Sequence, residues 1–144
     1  MHIKNANITS GGTLVGVLCG QISSNSVVSN CIVENSNIAG GNVGCIIGQS
    51  LTNSKIINCL SLNNTTNDTT DNGGIVGILN ASIIMYCISN SNIISGTNRG
   101  GLIGSTTGTV KIENIFYDKD NSSTTDTNRG NPLTTQQMKN IPLK

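Results

Sequence analysis

Rings and charges are scarce in this chain. Its 144 residues hold two tyrosines, one phenylalanine and no tryptophan. A broad globular core assembled from large aromatic side chains is therefore not expected, whereas a narrow aliphatic one needs no rings. Charged residues are 10% of the chain and the formal net charge is +1. That leaves no basic stripe to release counterions from a nucleic acid, so no nucleic-acid partner is expected. No apolar run approaches the roughly 20 residues that a membrane helix needs, and Met1-His2-Ile3-Lys4-Asn5 lacks the basic-then-apolar layout of a signal peptide. Neither membrane insertion nor a self-carried export signal is expected. His2 is the single histidine and the five cysteines form no C-x-x-C pair, so no metal site and no cofactor are expected.

What fills the chain is Asn, Ser, Thr, Gly and Ile, with an apolar share of only 35%. Ile and Thr are stiff at χ1 and suit a pleated surface, while Asn, Ser and Gly favour bends over helix interiors. Many short strands separated by turns are the expected result.

The strands come in repeats of about 28 residues. Gly12, Gly16 and Gly20 recur as Gly40, Gly44 and Gly48, then as Gly73, Gly77 and Ala81, then as Gly100, Gly104 and Gly108, which puts rung starts near 12, 40, 73 and 100. A second landmark runs through VVSNCIV, KIINCLS, SIIMYCIS and VKIENIFY and places Cys31, Cys59, Cys87 and Ile115 at equivalent positions. Ahead of it lies a column of Val28, Ile56, Ile84 and Ile112, and behind it one of Ile32, Leu60, Ile88 and Phe116. A third landmark, Asn35 to Ile38, is echoed at Asn5 to Ile8 and at Asn90 to Ile93. By that echo Met1 falls where later repeats carry a cysteine, so the chain is expected to open partway through a turn.

Each repeat reads as three strand-sized stretches, for example Leu14 to Cys19, Val27 to Glu34 and Asn37 to Ala39. Such a unit cannot bury its own apolar side. Successive units at about 4.8 Å can pair backbone to backbone and pile like side chains on one another. Apolar residues two before and one after Asn30 and Asn58 break strict alternation, which predicts a bend at each Asn and an amide ladder along the stack. The expected architecture is all-β: a right-handed parallel β-helix of about four rungs over residues 1–117. Residues 118–144 are expected to form a tail and cap with a short helix.

The Gly-x-x-x-Gly block followed by an Asn-Cys strand resembles the GLUG repeat of bacterial surface proteins. The match is best at Gly73 to Gly77 and Gly100 to Gly104, with Asn30-Cys31 and Asn58-Cys59 supplying the second half; Gly12 to Gly16 and Gly40 to Gly44 are looser copies. Tyr86 and Ile115 depart from the Asn-Cys pair. Phe116-Tyr117-Asp118 and Leu133 to Met138 are similar to the segment that closes such arrays. The resemblance implies a right-handed parallel β-helix on a microbial surface, as in large adhesins and the non-catalytic stretches of immunoglobulin A peptidases, with function set by exposed loops.

The residues that could carry chemistry have plainer roles. Cys31, Cys59 and Cys87 are expected to be small buried hydrophobes with reduced thiols. Asp68, Asp71, Asp118, Asp120 and Asp126 are expected to be solvated turn residues rather than a catalytic pair. The glycines serve tight turns and close backbone approach, because no helix follows them to cradle a phosphate. The longest insertion, Leu62 to Asn72, is the candidate recognition loop, with Asn64, Asn67, Asp68 and Asp71 as its polar residues. Thr134 and Gln137 form a capping box, which predicts a helical turn near Thr135 to Asn140, closed by Pro142.

The expected function is a non-enzymatic structural or adhesive segment of a longer extracellular or cell-surface protein. Its expected partners are upstream rungs or another copy of itself at the open N-terminal end, and a host or glycan receptor. The competing expectations are a subunit that stacks head to tail into a filament and a carbohydrate-active β-helix enzyme.

Overall fold

The computed structural model describes residues 1–68 and 70–141, with Asp68 described by its backbone alone. The first coil contains five short strands, β1 (His2–Lys4), β2 (Asn7–Thr9), β3 (Leu14–Val15), β4 (Cys19–Ile22) and β5 (Val27–Ser29). The chain then returns alongside β1 at Ile32–Glu34, pairing parallel to it with His2 opposite Ile32. Repetition of this path builds five parallel sheets, one beneath each first-coil strand. The β1 sheet has six strands and each of the others has four. The result is a parallel β-solenoid of about four turns.

A coil therefore has five strands, where the sequence pattern suggested three. One extra break falls at residues 16–18, where Leu14 to Cys19 turns a corner at a glycine, Gly16, pressed against backbone; the other is a matter of backbone handedness. Left-handed residues recur at three corners: Asn5, Asn35 and Asn63 after the β1 sheet, Asn25, Asn53, Ala81 and Gly108 after the β4 sheet, and Asn30, Asn58, Tyr86 and Asn114 after the β5 sheet. Asparagine tolerates this conformation because its short amide hydrogen-bonds locally. Each such residue bends the chain, and at Asn30 the bend that the parity predicts cuts Val27 to Glu34 into Val27–Ser29 and Ile32–Glu34. Asn58 Nδ2 donates to Asn30 Oδ1 at 2.6 Å, one coil below, as the ladder expectation requires.

The bend also sorts the apolar columns. Val28, Ile56 and Ile84 are in register and face the core, as do Cys59 and Cys87 just beyond the corner, whereas Cys31, expected to be buried with them, is only half-buried in the first turn of the column. One residue further on, the pleat points out. Ile32, Leu60, Ile88 and Phe116 form an external, half-buried stripe, and the inward positions beside them are Val33, Ser61, Ser89 and Tyr117. The column behind the cysteines is thus a surface feature and not the core stack that its composition suggests.

The glycine register differs from the expectation as well. Gly44 pairs with Gly73 and Gly73 with Gly100, while Gly77 lies between Gly48 and Gly104. The coil spacing along this face is 28, 29 and 27 residues. Aligning Gly40 with Gly73 displaces the third and fourth rungs by one glycine and creates an insertion that the ladder does not contain. Ala81 and Gly108 belong instead to the corner of Asn25 and Asn53.

At that corner Ala81 holds φ 45, a conformation its Cβ disfavours. Ala81→Asn supplies the residue type of the two coils below, so the midpoint of urea unfolding is expected to rise, by about 1 kcal/mol in stability.

Candidate functional site

The segment expected to be a recognition loop is part of the solenoid wall. Thr65–Asp68 pairs with Asn37–Gly40 on one side and with Asn92–Ile93 on the other, and Asp71–Gly73 continues the β3 sheet. Asn64 is 1% exposed, so it cannot meet a ligand. Asn67 is exposed and accepts from Ser95 Oγ; Asp71 accepts from Asn98 Nδ2 at 2.7 Å. The side chain of Asp68 lies outside the described residues, as do Thr69 and Pro142.

Asn64 instead organises the interior. It follows the left-handed Asn63, at the inward position that Ala6, Ser36 and Ser91 take in the other coils. Its Oδ1 accepts from the Ser36 N–H at 2.9 Å, and its Nδ2 donates to the Val33 carbonyl at 2.8 Å and to Ser61 Oγ at 2.9 Å. Ser61 Oγ and Ser91 Oγ are 2.8 Å apart. Its signal in the sequence is the column of small residues Ala6, Ser36 and Ser91 at the corner after the β1 sheet, which counting Leu62 to Asn72 as an insertion hides.

Cys45 packs against this polar column. Burial raises its thiol pKa from 9.0 to about 11, with hydrogen bonds to Ser61, Ser91 and Asn64 acting in the opposite direction. Cys87 is also pushed well above the ordinary thiol range, by its contact with Cys59 and by burial. Because the folded state holds the Cys45 proton more tightly than the unfolded chain does, its stabilising effect is complete below about pH 9 and is lost as pH rises through about 11. Thermal melts are expected to lose about 3 kcal/mol of stability over that window, and Cys45→Ala is expected to flatten its share of the slope.

The two ends of the coil stack differ. At the C-terminal end, Asn131–Leu133 adds to the β1 sheet beside Phe116–Asp118 and places Pro132, which has no N–H, in the outermost strand. The Tyr117 ring is fully buried and donates its hydroxyl to the Asp126 carbonyl at 2.6 Å. Burial, and then the nearby Asp126 carboxylate, push the Tyr117 phenol above its ordinary value. Asp126 Oδ1 accepts from the Gly101 N–H at 3.1 Å, and the Arg129 guanidinium donates to the carbonyls of Gly104 and Arg99. Groups that another strand would need are thereby occupied.

Asp118, expected in a solvated turn, is 1% exposed. It caps helix α1 (Lys119–Ser122), accepting from the N–H groups of Asp120 and Asn121. It also accepts from Asn121 Nδ2 and Thr135 Oγ1. Asp120 Oδ2 accepts from the Thr135 N–H at 2.9 Å. Both carboxylates thus tie helix α2 (Thr135–Met138) to α1, and the Thr134–Gln137 capping box opens α2 as the sequence predicts. Met138 and Ile141 then line a cleft of about 330 Å³ with Leu62 and with Leu60 and Ile88 of the external stripe.

At the other end the outer edges of β1 to β5 have no strand beyond them among the described residues. Ile3, Ile8, Leu14, Val17 and Leu18 of this coil are only half-buried. Among the described residues no group of three or more His, Cys, Asp or Glu is placed to hold a metal ion. All five cysteines are free thiols.

On the flank, the corner after the β5 sheet forms a ridge of Asn30, Asn58, Tyr86 and Asn114. Tyr86 interrupts it with φ 55 and 52% of its surface exposed. A bulky residue in this conformation costs about 1–2 kcal/mol, and a ring that stays half in solvent regains little of it by packing. No family model, curated protein or solved structure matches this chain.

Proposed function

We propose that this chain is a non-enzymatic structural or adhesive β-solenoid segment of a longer extracellular or cell-surface protein. The observation that carries the reading is the asymmetry of the two ends. The first coil presents a ring of strand edges and half-buried aliphatics of the shape that another coil would cover, while at the last coil a strand carrying Pro132 extends the β1 sheet, and Asp126 and Arg129 bond backbone groups of Gly101, Gly104 and Arg99. Repeat arrays need such a polar terminal cap to stay soluble, and an open edge recruits strands. The likeness to GLUG repeats points the same way, toward a microbial surface. Partners in this reading are preceding coils of the same protein at the N-terminal edge and a host or glycan receptor on the flank.

The cap weighs against head-to-tail filaments locally, since the Gly101 N–H and the Gly104 and Arg99 carbonyls are already bonded, while Asn92–Ile93, Ile103–Thr107 and Lys111–Glu113 have no strand beyond them among the described residues. The engagement of Asp71, Asp118 and Asp120 in backbone and amide hydrogen bonds gives a carbohydrate-cleaving reading no support.

Electron microscopy with sedimentation of the purified chain tests this. Short particles are expected, and Tyr117→Ala combined with Arg129→Ala, which unlatches the cap, is expected to lengthen them. Rods of indefinite length from the unmodified chain would favour the filament. Release of reducing ends from a polysaccharide, abolished by an Asp-to-Asn scan, would favour the enzyme.

A further inference from the structure

The Asn30–Asn58–Tyr86–Asn114 ridge is a place where the structural account leaves a residue over. At the same corner, Asn30 and Asn58 are joined through their amides, and Asn114 also adopts the left-handed backbone that suits asparagine. Tyr86 is held in the stack by its backbone, donating to the Glu113 carbonyl at 3.2 Å, but the residue is 52% exposed. Folding therefore gives no reason for a tyrosine here. Strain kept at an exposed position points to a use of the side chain.

The chemistry of the ridge defines what could use it. The crest carries no charge: it offers one aromatic face and, in line with it, carboxamides that each donate and accept hydrogen bonds. Its flanks are half-buried aliphatics, Ile57 and Met85 on the β5 side and, on the β1 side, Leu60 and Ile88, which also line the cleft against Met138 and Ile141. Lys111 on the same face is paired with Glu113 at 3.4 Å, which offsets its charge toward an anionic ligand. Adjacent coils repeat these groups about every 4.8 Å, close to the length of one pyranose along an extended chain. A pyranose has an apolar C–H face that stacks on an aromatic ring and a rim of hydroxyls that matches carboxamides.

We propose that this ridge binds a neutral polysaccharide, with Tyr86 as the stacking platform and Asn58 and Asn114 as hydroxyl partners on the neighbouring coils. The inference rests on and deepens the adhesive part of the proposed function, the glycan receptor on the flank, while the structural part stands whether or not a sugar binds.

The test is calorimetric titration of the full chain with cellohexaose, xylohexaose, chitohexaose and maltohexaose, alongside thermal melts. At least one is expected to bind with a sub-millimolar Kd. Tyr86→Asn restores the residue type of the corner, so its melting midpoint is expected to be unchanged or higher while affinity falls by about tenfold or more. Tyr86→Phe keeps the ring and is expected to stay within about threefold of the parent. Absence of binding to all four sugars, or equal binding by Tyr86→Asn, overturns the proposal; neither outcome touches the particle lengths that test the structural role.

Discussion

Gly44→Ala is expected to leave the chain unable to fold. A Cβ on Gly44 would stand 2.0 Å from the Ile47 carbonyl oxygen, 2.6 Å from Val76 Cα and 2.7 Å from the Gly77 nitrogen. All three are backbone atoms, so no rotamer change relieves the clash. Two belong to the next coil, so moving them breaks the ladder that stacks the turns. The same approach recurs at Gly73, where Val76 O would be 2.2 Å away, and at Gly100, where Ile103 O would be 1.8 Å away. The β3 and β4 sheets meet here backbone against backbone, and only hydrogen fits between them. The cost is expected to exceed about 4 kcal/mol, a large part of the 5–15 kcal/mol that holds a typical domain together. Circular dichroism should show loss of the β signal at 25 °C. Gly11→Ala is the control: nothing lies within 4 Å of a Cβ there, and its effect should stay within about 0.5 kcal/mol. A Gly44→Ala chain with a native melt would mean that the coils do not approach as closely as described.

Asn64→Leu is expected to have the next largest effect, about 4 kcal/mol, read from urea unfolding. The substitution keeps a side chain of similar length but strands the Ser36 N–H and the Val33 carbonyl, which Asn64 now satisfies, in an interior it shares with Ser61 and Ser91. Each buried polar group left without a partner costs about 1–3 kcal/mol. A loss under about 1 kcal/mol would show that water reaches this column. The same result would return Asn64 to the list of surface residues from which the fold removed it.

These two positions show where the sequence could be read and where it could not. The spacing of Cys31, Cys59, Cys87 and Ile115 predicts one column, and the structure holds them at equivalent places through the neighbouring pairs Ile32–Leu60, Leu60–Ile88 and Ile88–Phe116. That spacing is constant because every coil from one cysteine to the next has the same residue total. The glycine face was harder to read. Gly-x-x-x-Gly matches itself when displaced by four residues, so Gly73 could be set against Gly40 as easily as against Gly44, and only the hydrogen-bonded ladder distinguishes the two. Asn64 was misplaced by that slip. The capping box at Thr134 and Gln137 needed no tertiary information, since its partners lie three residues apart. The roles of Asp118, Asp126 and Arg129 join distant parts of the chain and had no local signature.

The one-dimensional pattern by itself determined that this protein is a stack of coils with a narrow aliphatic core and a C-terminal cap. Repeated residues at a constant interval have few other ways to bury their apolar sides. Only the tertiary structure decided which side of each strand faces in, because a left-handed residue at a corner shifts the parity of everything after it. It alone placed Ile32, Leu60 and Ile88 outside, Asn64 inside, and Tyr86 exposed on a ridge of asparagines. Inward and outward depend on backbone dihedrals at a few bends, and a residue's chemistry constrains those dihedrals without dictating them.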